Sequence, residues 1–215
     1  MPPLQAVARL LDRWFAIKIF LTFQLIIPLE MKLSPGTLYH LYNRGNNKQV
    51  IFFQERNYDF FKQKALRELG SQVDILAYCL MPNHFHFLIS TKATFDNKKF
   101  SDSLRTLLSS YTRAIQKQEG ITGSLFQQNS KFKELSTNEY ACACFHYIHQ
   151  NPVKAGLTKK LEDWPHQSFK EYWKKEFGIC NVAMGEQFLT IATDANRFYN
   201  ESYQMIPDNI AVNLF

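Results

Sequence analysis

The order of its secondary-structure signals is what most narrows the fold of this chain. Thr37 to Asn43 is rich in aromatic and β-branched residues and breaks at Arg44-Gly45-Asn46-Asn47, which predicts a strand and a turn. Glu55 to Leu69 sets Tyr58, Phe61, Ala65 and Leu69 at helical spacing ahead of Gly70. Val73 to Met81 predicts a second strand, Pro82-Asn83 a turn, and His84 to Ser90 a third strand. Ser101 to Glu119 carries the stripe Leu104, Leu107, Leu108, Tyr111, Ala114, Ile115, and Ser130 to Leu135 is a weaker fourth strand. Asn138 to Gln150 predicts a third helix, opened by Thr137 or Asn138 and closed by Asn151-Pro152. The order β-α-β-β-α-β, then α, predicts an α+β, ferredoxin-like split βαβ fold. Its four-stranded antiparallel sheet would carry two helices on one face, with the third helix near the sheet edge.

That domain spans residues 31–178, with Trp164-Pro165 and a short helix near Phe169 to Phe177 closing it. Beyond Cys180 the pattern weakens, so residues 179–215 are expected to form a loosely attached tail. Ahead of the domain, residues 1–30 form an apolar extension. Its run from Trp14 to Pro28 falls short of the roughly 20 residues that span a bilayer. Pro28-Leu29-Glu30-Met31 makes a poor signal-cleavage site, and Met31 is an alternative start. A surface-lying helix is expected there, and no membrane partner.

The composition, 46% hydrophobic and 20% charged, excludes a disordered chain or a disulfide scaffold. Four cysteines without metal-ligand spacing read as free thiols in a reducing compartment, and a cytoplasmic location is expected. The net charge is +6, concentrated in residues 91–133 with eight basic and three acidic groups, whereas residues 181–215 hold one basic group and four acidic. A basic middle suits a phosphate-lined partner.

Two constellations carry candidate chemistry. In His84-Phe85-His86 the imidazoles share one face of a strand and can converge on one divalent cation, or simply be hydrogen-bonded histidines. Tyr147 and Asn151 lie one helical turn apart on one face. They could supply a nucleophile and an oxygen ligand, or be a half-buried tyrosine and a helix-ending asparagine. Tyr111, on the apolar stripe and followed one turn later by Ile115, is assigned to the core rather than to catalysis. His146 and His149 face away from Tyr147 on a helix.

From Leu38 to Tyr172 the chain resembles the single-tyrosine HUH transposases, most closely the REP-associated tyrosine transposases. The resemblance rests on Tyr42-Asn43-Arg44-Gly45-Asn46 with Ile51-Phe52-Phe53 and on the run Ala77 to Leu88 around Met81-Pro82-Asn83-His84-Phe85-His86. It continues through Tyr147-Ile148-His149-Gln150-Asn151-Pro152-Val153-Lys154-Ala155-Gly156-Leu157 and Trp164-Pro165 ahead of Ser168-Phe169. It implies that His84 and His86 are the two metal-binding histidines, that Tyr147 is the nucleophile and that Asn151 completes the metal site. It also implies Mg²⁺ or Mn²⁺ as cofactor, and cleavage and rejoining of single-stranded DNA beside hairpins through a 5′-phosphotyrosine link. Relatives carry a Gln-Gly-Arg-Phe-like stretch where this chain has Gln127 to Phe132, so Lys131 keeps a cation but loses the bidentate fork.

Single-stranded or hairpin DNA is therefore the expected partner, at the nucleoid. Arg44, Lys48, Arg105, Arg113, Lys131 and Lys133 are the candidate contacts, and Tyr42 and Phe126 the candidate stacking rings. A monomer is expected, with a dimer as the alternative. A domesticated hairpin-binding protein without turnover is the second functional reading, and a small metallohydrolase, lacking a visible general base, the third.

Overall fold

The computed structural model describes residues 32–206, so the apolar extension 1–30 and the end of the tail lie outside the described residues. Strands β1 (Leu38–Arg44), β2 (Val73–Met81), β3 (His84–Thr91) and β4 (Lys131–Glu134) form one antiparallel sheet in the order β2-β3-β1-β4. Helix α1 (Glu55–Leu69) joins β1 to β2, and α2 (Asn97–Glu119) joins β3 to β4. Helix α2 starts four residues before the expected Ser101, because Asp96 caps it by accepting from the Lys99 N–H at 2.8 Å. Helix α3 (Asn138–Lys154) follows β4. The split βαβ architecture is as the element order predicted.

Register sorts the side chains into two faces. Tyr39, Leu41 and Asn43 of β1 share a face with Phe85, Phe87 and Ile89 of β3. There Phe61 of α1 lies 5.1 Å from Phe85 and 4.9 Å from Tyr111 of α2, ring centre to ring centre. Tyr111 is fully buried, and its hydroxyl donates to the Ile51 carbonyl at 2.8 Å, so it belongs to this core. Phe126, expected to stack on a base, is buried here too, against Phe61 and Phe85.

The opposite face presents Ala77, Cys79, Met81 and Leu88 with the two histidines. Helix α3 covers it rather than standing at the sheet edge: Ala141, Cys144, Phe145, Tyr147 and Ile148 pack over β2 and β3. Leaving those four apolar strand residues in water would forgo roughly 25 cal/mol for each Å² of apolar surface, which is why the third helix goes there.

Helix α3 also runs past its expected stop, through Pro152 to Lys154. Proline removes the N–H that would reach the Ile148 carbonyl. The Asn151 side-chain amide substitutes for it, donating to Ile148 O at 3.5 Å and to Tyr147 O at 3.0 Å.

The expected loose tail is instead part of the core through Ile206. After α4 (Phe169–Trp173), helices α5 (Val182–Leu189) and α6 (Ala195–Ser202) are capped by Asn181 and Asp194. Leu189, Ile191, Phe198 and Ile206 are buried with Phe145, Phe169 and Tyr172. Gln150 of α3 donates to the Ser202 and Gln204 carbonyls at 3.0 and 2.9 Å. Short helices separated by loops dilute the 3.6-residue period, which hides this packing from a periodicity reading.

Backbone groups also line the outer side of β2. Leu80 N–H donates to His166 O, while Ser168 N–H donates to Tyr78 O and Asn181 N–H to Ile75 O. No helix among the described residues is long and apolar enough to cross a membrane.

Candidate functional site

The site is assembled by a two-residue turn and a helix. Pro82-Asn83 joins β2 to β3 so tightly that Met81 pairs with His84. The turn is held from outside: Ile51 and Phe52 N–H donate to Pro82 O, and Gly45 N–H donates to Asn83 O at 2.8 Å. A Cβ on Gly45 would lie 2.0 Å from the Gln49 carbonyl oxygen, so this approach requires glycine.

His84 and His86 project from one face of β3, with ring centres 5.0 Å apart. His84 Nδ1 meets Asn83 Oδ1 at 2.7 Å, and the Asn83 amide is oriented by donating to the Lys48 carbonyl at 3.2 Å. With oxygen as its partner, His84 Nδ1 must carry the proton, and Nε2 is the atom with a lone pair for a cation. His86 is nearly buried, and its Nδ1 lies 2.9 Å from Nε2 of His40, a fully buried residue of β1.

Burial and the Arg44 guanidinium lower the His84 pKa to about 4, and burial with two neighbouring imidazoles holds His86 well below its ordinary value. Both rings are therefore neutral at pH 7, the form that binds metal. Cys79, paired with His86 across β2 and β3, has its thiol pushed up by burial, so no thiolate competes for a cation there.

Tyr147 is 6% exposed, with ring centres 6.1 Å from His86 and 6.4 Å from His40. Burial raises its pKa, opposed by the Asn151 amide, so the phenol is protonated at neutral pH. Lys154, seven residues on, places Nζ 5.2 Å from the Tyr147 ring centre. Because the Asn151 NH₂ is taken up by helix carbonyls, Oδ1 is the atom of that side chain left to bind a cation. Among the described residues no three His, Cys, Asp or Glu side chains form a metal-binding group. Two imidazoles with an amide oxygen make three donors and leave coordination positions open, unlike the closed four-ligand set of structural zinc.

The structure divides the six candidate DNA contacts. Arg44 pairs with His84 across β1 and β3, Lys131 faces Tyr42, Lys133 faces His40, and Lys48 lies beside Asn83. The Nε of Arg44 is buried with no hydrogen-bond partner among the described residues. Tyr42 is half-buried on this face, its ring centre 5.8 Å from that of His86. Arg105 and Arg113 instead sit on α2, across the sheet from α3, with Arg105 paired to Asp102 at 3.1 Å.

Two residues of the site escaped the sequence reading. His40 stands two residues from Tyr42 on β1, and the register that brings it to His86 is a tertiary fact. Lys154 was hidden by the expectation that α3 ends before Pro152; extending the Tyr147–Asn151 face by one turn would have found it.

His149 is locked in the core, its Nε2 2.8 Å from Ser168 Oγ; burial lowers its pKa to about 3 and that of His146 to about 4. Unfolded histidines take up protons near pH 6.5, so below that value the unfolded chain binds protons that the fold refuses. Stability should be flat above pH 7 and fall between pH 6.5 and 4, by at most about 1.4 kcal/mol per pH unit for each of His84, His146 and His149. Urea midpoints measured across that window would show a slope; a flat line would mean these rings are hydrated.

Residues 35–151 match the family model described as IS200-like transposase. A Haemophilus influenzae protein named for the REP-associated tyrosine transposases is 25% identical over 112 residues, covering 48% of this chain and 62% of that one, less than two thirds of the relative. A solved structure of a REP-associated tyrosine transposase bound to a REP hairpin superposes with a TM-score of 0.56 at 19% identity, over 70% of this chain and 90% of the other, which establishes a shared fold. The family model takes in β1, the histidine hairpin and helix α3 as far as Asn151, and on that match the chain belongs to the IS200-like transposase family.

Proposed function

We propose that this chain is a single-tyrosine HUH endonuclease and strand transferase, cutting and rejoining single-stranded DNA beside hairpins at the nucleoid. The observation that carries the proposal is Tyr147 set edge-on against His86, one helical turn from an amide whose oxygen is left for a cation. His84 Nε2, His86 and Asn151 Oδ1 would hold Mg²⁺ or Mn²⁺. Such a cation supplies positive charge that polarises the scissile phosphate.

The remaining steps belong to the chain's own residues. Tyr147 Oη forms a bond to phosphorus as the P–O3′ bond breaks; the phenol gives its proton to water, and the departing 3′-oxygen takes one from water and leaves as a hydroxyl. The 5′-phosphotyrosine keeps the energy of the broken phosphodiester, so rejoining needs no ATP. Lys154, above the phenol, offsets the charge that returns to the tyrosine oxygen when a 3′-hydroxyl attacks the link. Arg44, Lys131 and Lys133 line the same face and suit the flanking phosphates. A hairpin as partner is supported by the hairpin bound to the structural neighbour.

The test is a hairpin-flanked oligonucleotide incubated with the protein and Mn²⁺. A denaturation-resistant protein–DNA adduct, lost with chelator, is expected; its absence with both metals would sink the proposal. A second reading, hairpin binding without turnover, draws on the 6% exposure of Tyr147. Tight hairpin binding with no adduct would select it.

Charge placement makes a separate prediction. Lys131→Ala with Lys133→Ala should weaken hairpin binding about tenfold at low salt and lower the slope of log K against log[salt] by about 2. Arg105→Ala with Arg113→Ala should leave that slope unchanged. Equal effects from the two pairs, in a filter-binding salt titration, would show that the DNA does not follow the β4 side.

A further inference from the structure

We infer that His40 is a positioning residue: it accepts the Nδ1–H of His86 and so turns the His86 Nε2 lone pair toward the cation. The inference rests on the reading above, in which His86 binds metal.

His40 Nε2 and His86 Nδ1 are 2.9 Å apart, and the rings stack with centres 5.1 Å apart and planes at 22°. His40 is fully buried, and its ring also meets those of Tyr42 and Tyr147. With both rings in their neutral forms one proton lies between these two nitrogens, which leaves two arrangements. If His40 donates from Nε2, the His86 proton sits on its own Nε2, and that nitrogen cannot bind a cation. If His86 donates from Nδ1, the lone pair is on His86 Nε2.

The neighbouring histidine decides which arrangement a shared cation would require. Asn83 Oδ1 already forces the Nδ1–H form of His84, so two Nε2 atoms converge only when His40 accepts. The two histidines are thus fixed from different elements, His84 by the turn before it and His86 by β1. Since His40 also touches the Tyr147 ring, the same side chain sets the spacing between nucleophile and ligand.

Histidine-selective ¹⁵N labelling and long-range ¹⁵N–¹H correlation on the metal-free, full-length protein read the tautomer directly. The expected pattern for His86 is Nδ1–H. An Nε2–H pattern overturns the inference, and this measurement needs neither metal nor a variant. Mn²⁺ titration followed by electron paramagnetic resonance is the second readout. His40→Leu should weaken Mn²⁺ binding about 10- to 100-fold, while His40→Gln, whose carbonyl can accept from Nδ1–H, should recover most of it. Equal Mn²⁺ affinity in wild type and His40→Leu would also overturn it. An Nδ1–H His86 in a wild-type protein that binds no Mn²⁺ would fail the metal reading, and with it the service of His40 to a cation, while leaving the hydrogen bond from His86 to His40 in place.

Discussion

Tyr147→Phe should fold like the parent protein and form no covalent DNA adduct at all, in Mg²⁺ or Mn²⁺. The substitution removes one oxygen from a ring whose packing against His40 and His86 is retained, so its structural cost is about 1 kcal/mol, for the contact with the Asn151 amide, and the larger loss falls on chemistry. Phenylalanine offers no atom to bond phosphorus, and Tyr111, on the long helix α2, cannot stand in. Tyr111 is on the other side of the sheet, and its hydroxyl is spent on the Ile51 carbonyl. Tyr111→Phe should therefore form adduct at the parental rate while losing about 1 kcal/mol of stability with its hydrogen bond. Gel-shift of the denatured protein after incubation with a hairpin-flanked oligonucleotide separates the two. An adduct on the Tyr147→Phe protein would remove that residue from the nucleophile's role.

Phe198→Ala should be strongly destabilising although it lies far along the chain from the site. Phe198 is 1% exposed and packs against Phe145, Phe169 and Tyr172, joining α6 to α3 and α4. Emptying such a position costs about 3–5 kcal/mol, against a typical domain stability of about 5–15 kcal/mol. Thermal denaturation should fall by about 10 °C. A shift under about 2 °C would mean that the end of the chain is the loose tail its sequence suggests. Truncation after Cys180 should do worse, leaving Phe145, Phe169 and Tyr172 open to water and Gln150 without the Ser202 and Gln204 carbonyls. Soluble yield and urea midpoint would measure both changes.

The sheet, its two connecting helices and the helix bearing Tyr147 were legible because their signals are local. Strand alternation, helical stripes and the Pro82-Asn83 turn lie within windows of about 20 residues. The pairing of His84 with His86 was likewise a period-two statement. What the sequence withheld depends on what meets across the sheet. Nothing near His40 in the chain announces His86, 46 residues away, and nothing near Gln150 announces Ser202. The placement of α3 on the open face, rather than at the edge, follows from the register of Ala77, Cys79, Met81 and Leu88, which periodicity alone could not supply because β2 is buried on both sides. Arg105 looked equivalent to Arg44 by charge, and only the layer in which each lies distinguishes them.

The backbone laid along the outer side of β2 also governs how copies of this chain behave when crowded. A sheet recruits another strand only where its donors and acceptors face outward, and on β2 those groups already serve His166, Ser168 and Asn181. The sheet's other margin is β4, four residues long and carrying Lys131 and Lys133. Two such margins repel each other, so edge-to-edge aggregation is discouraged on both flanks. The same lysines that deter a second protein strand leave that flank attractive to a polyanion.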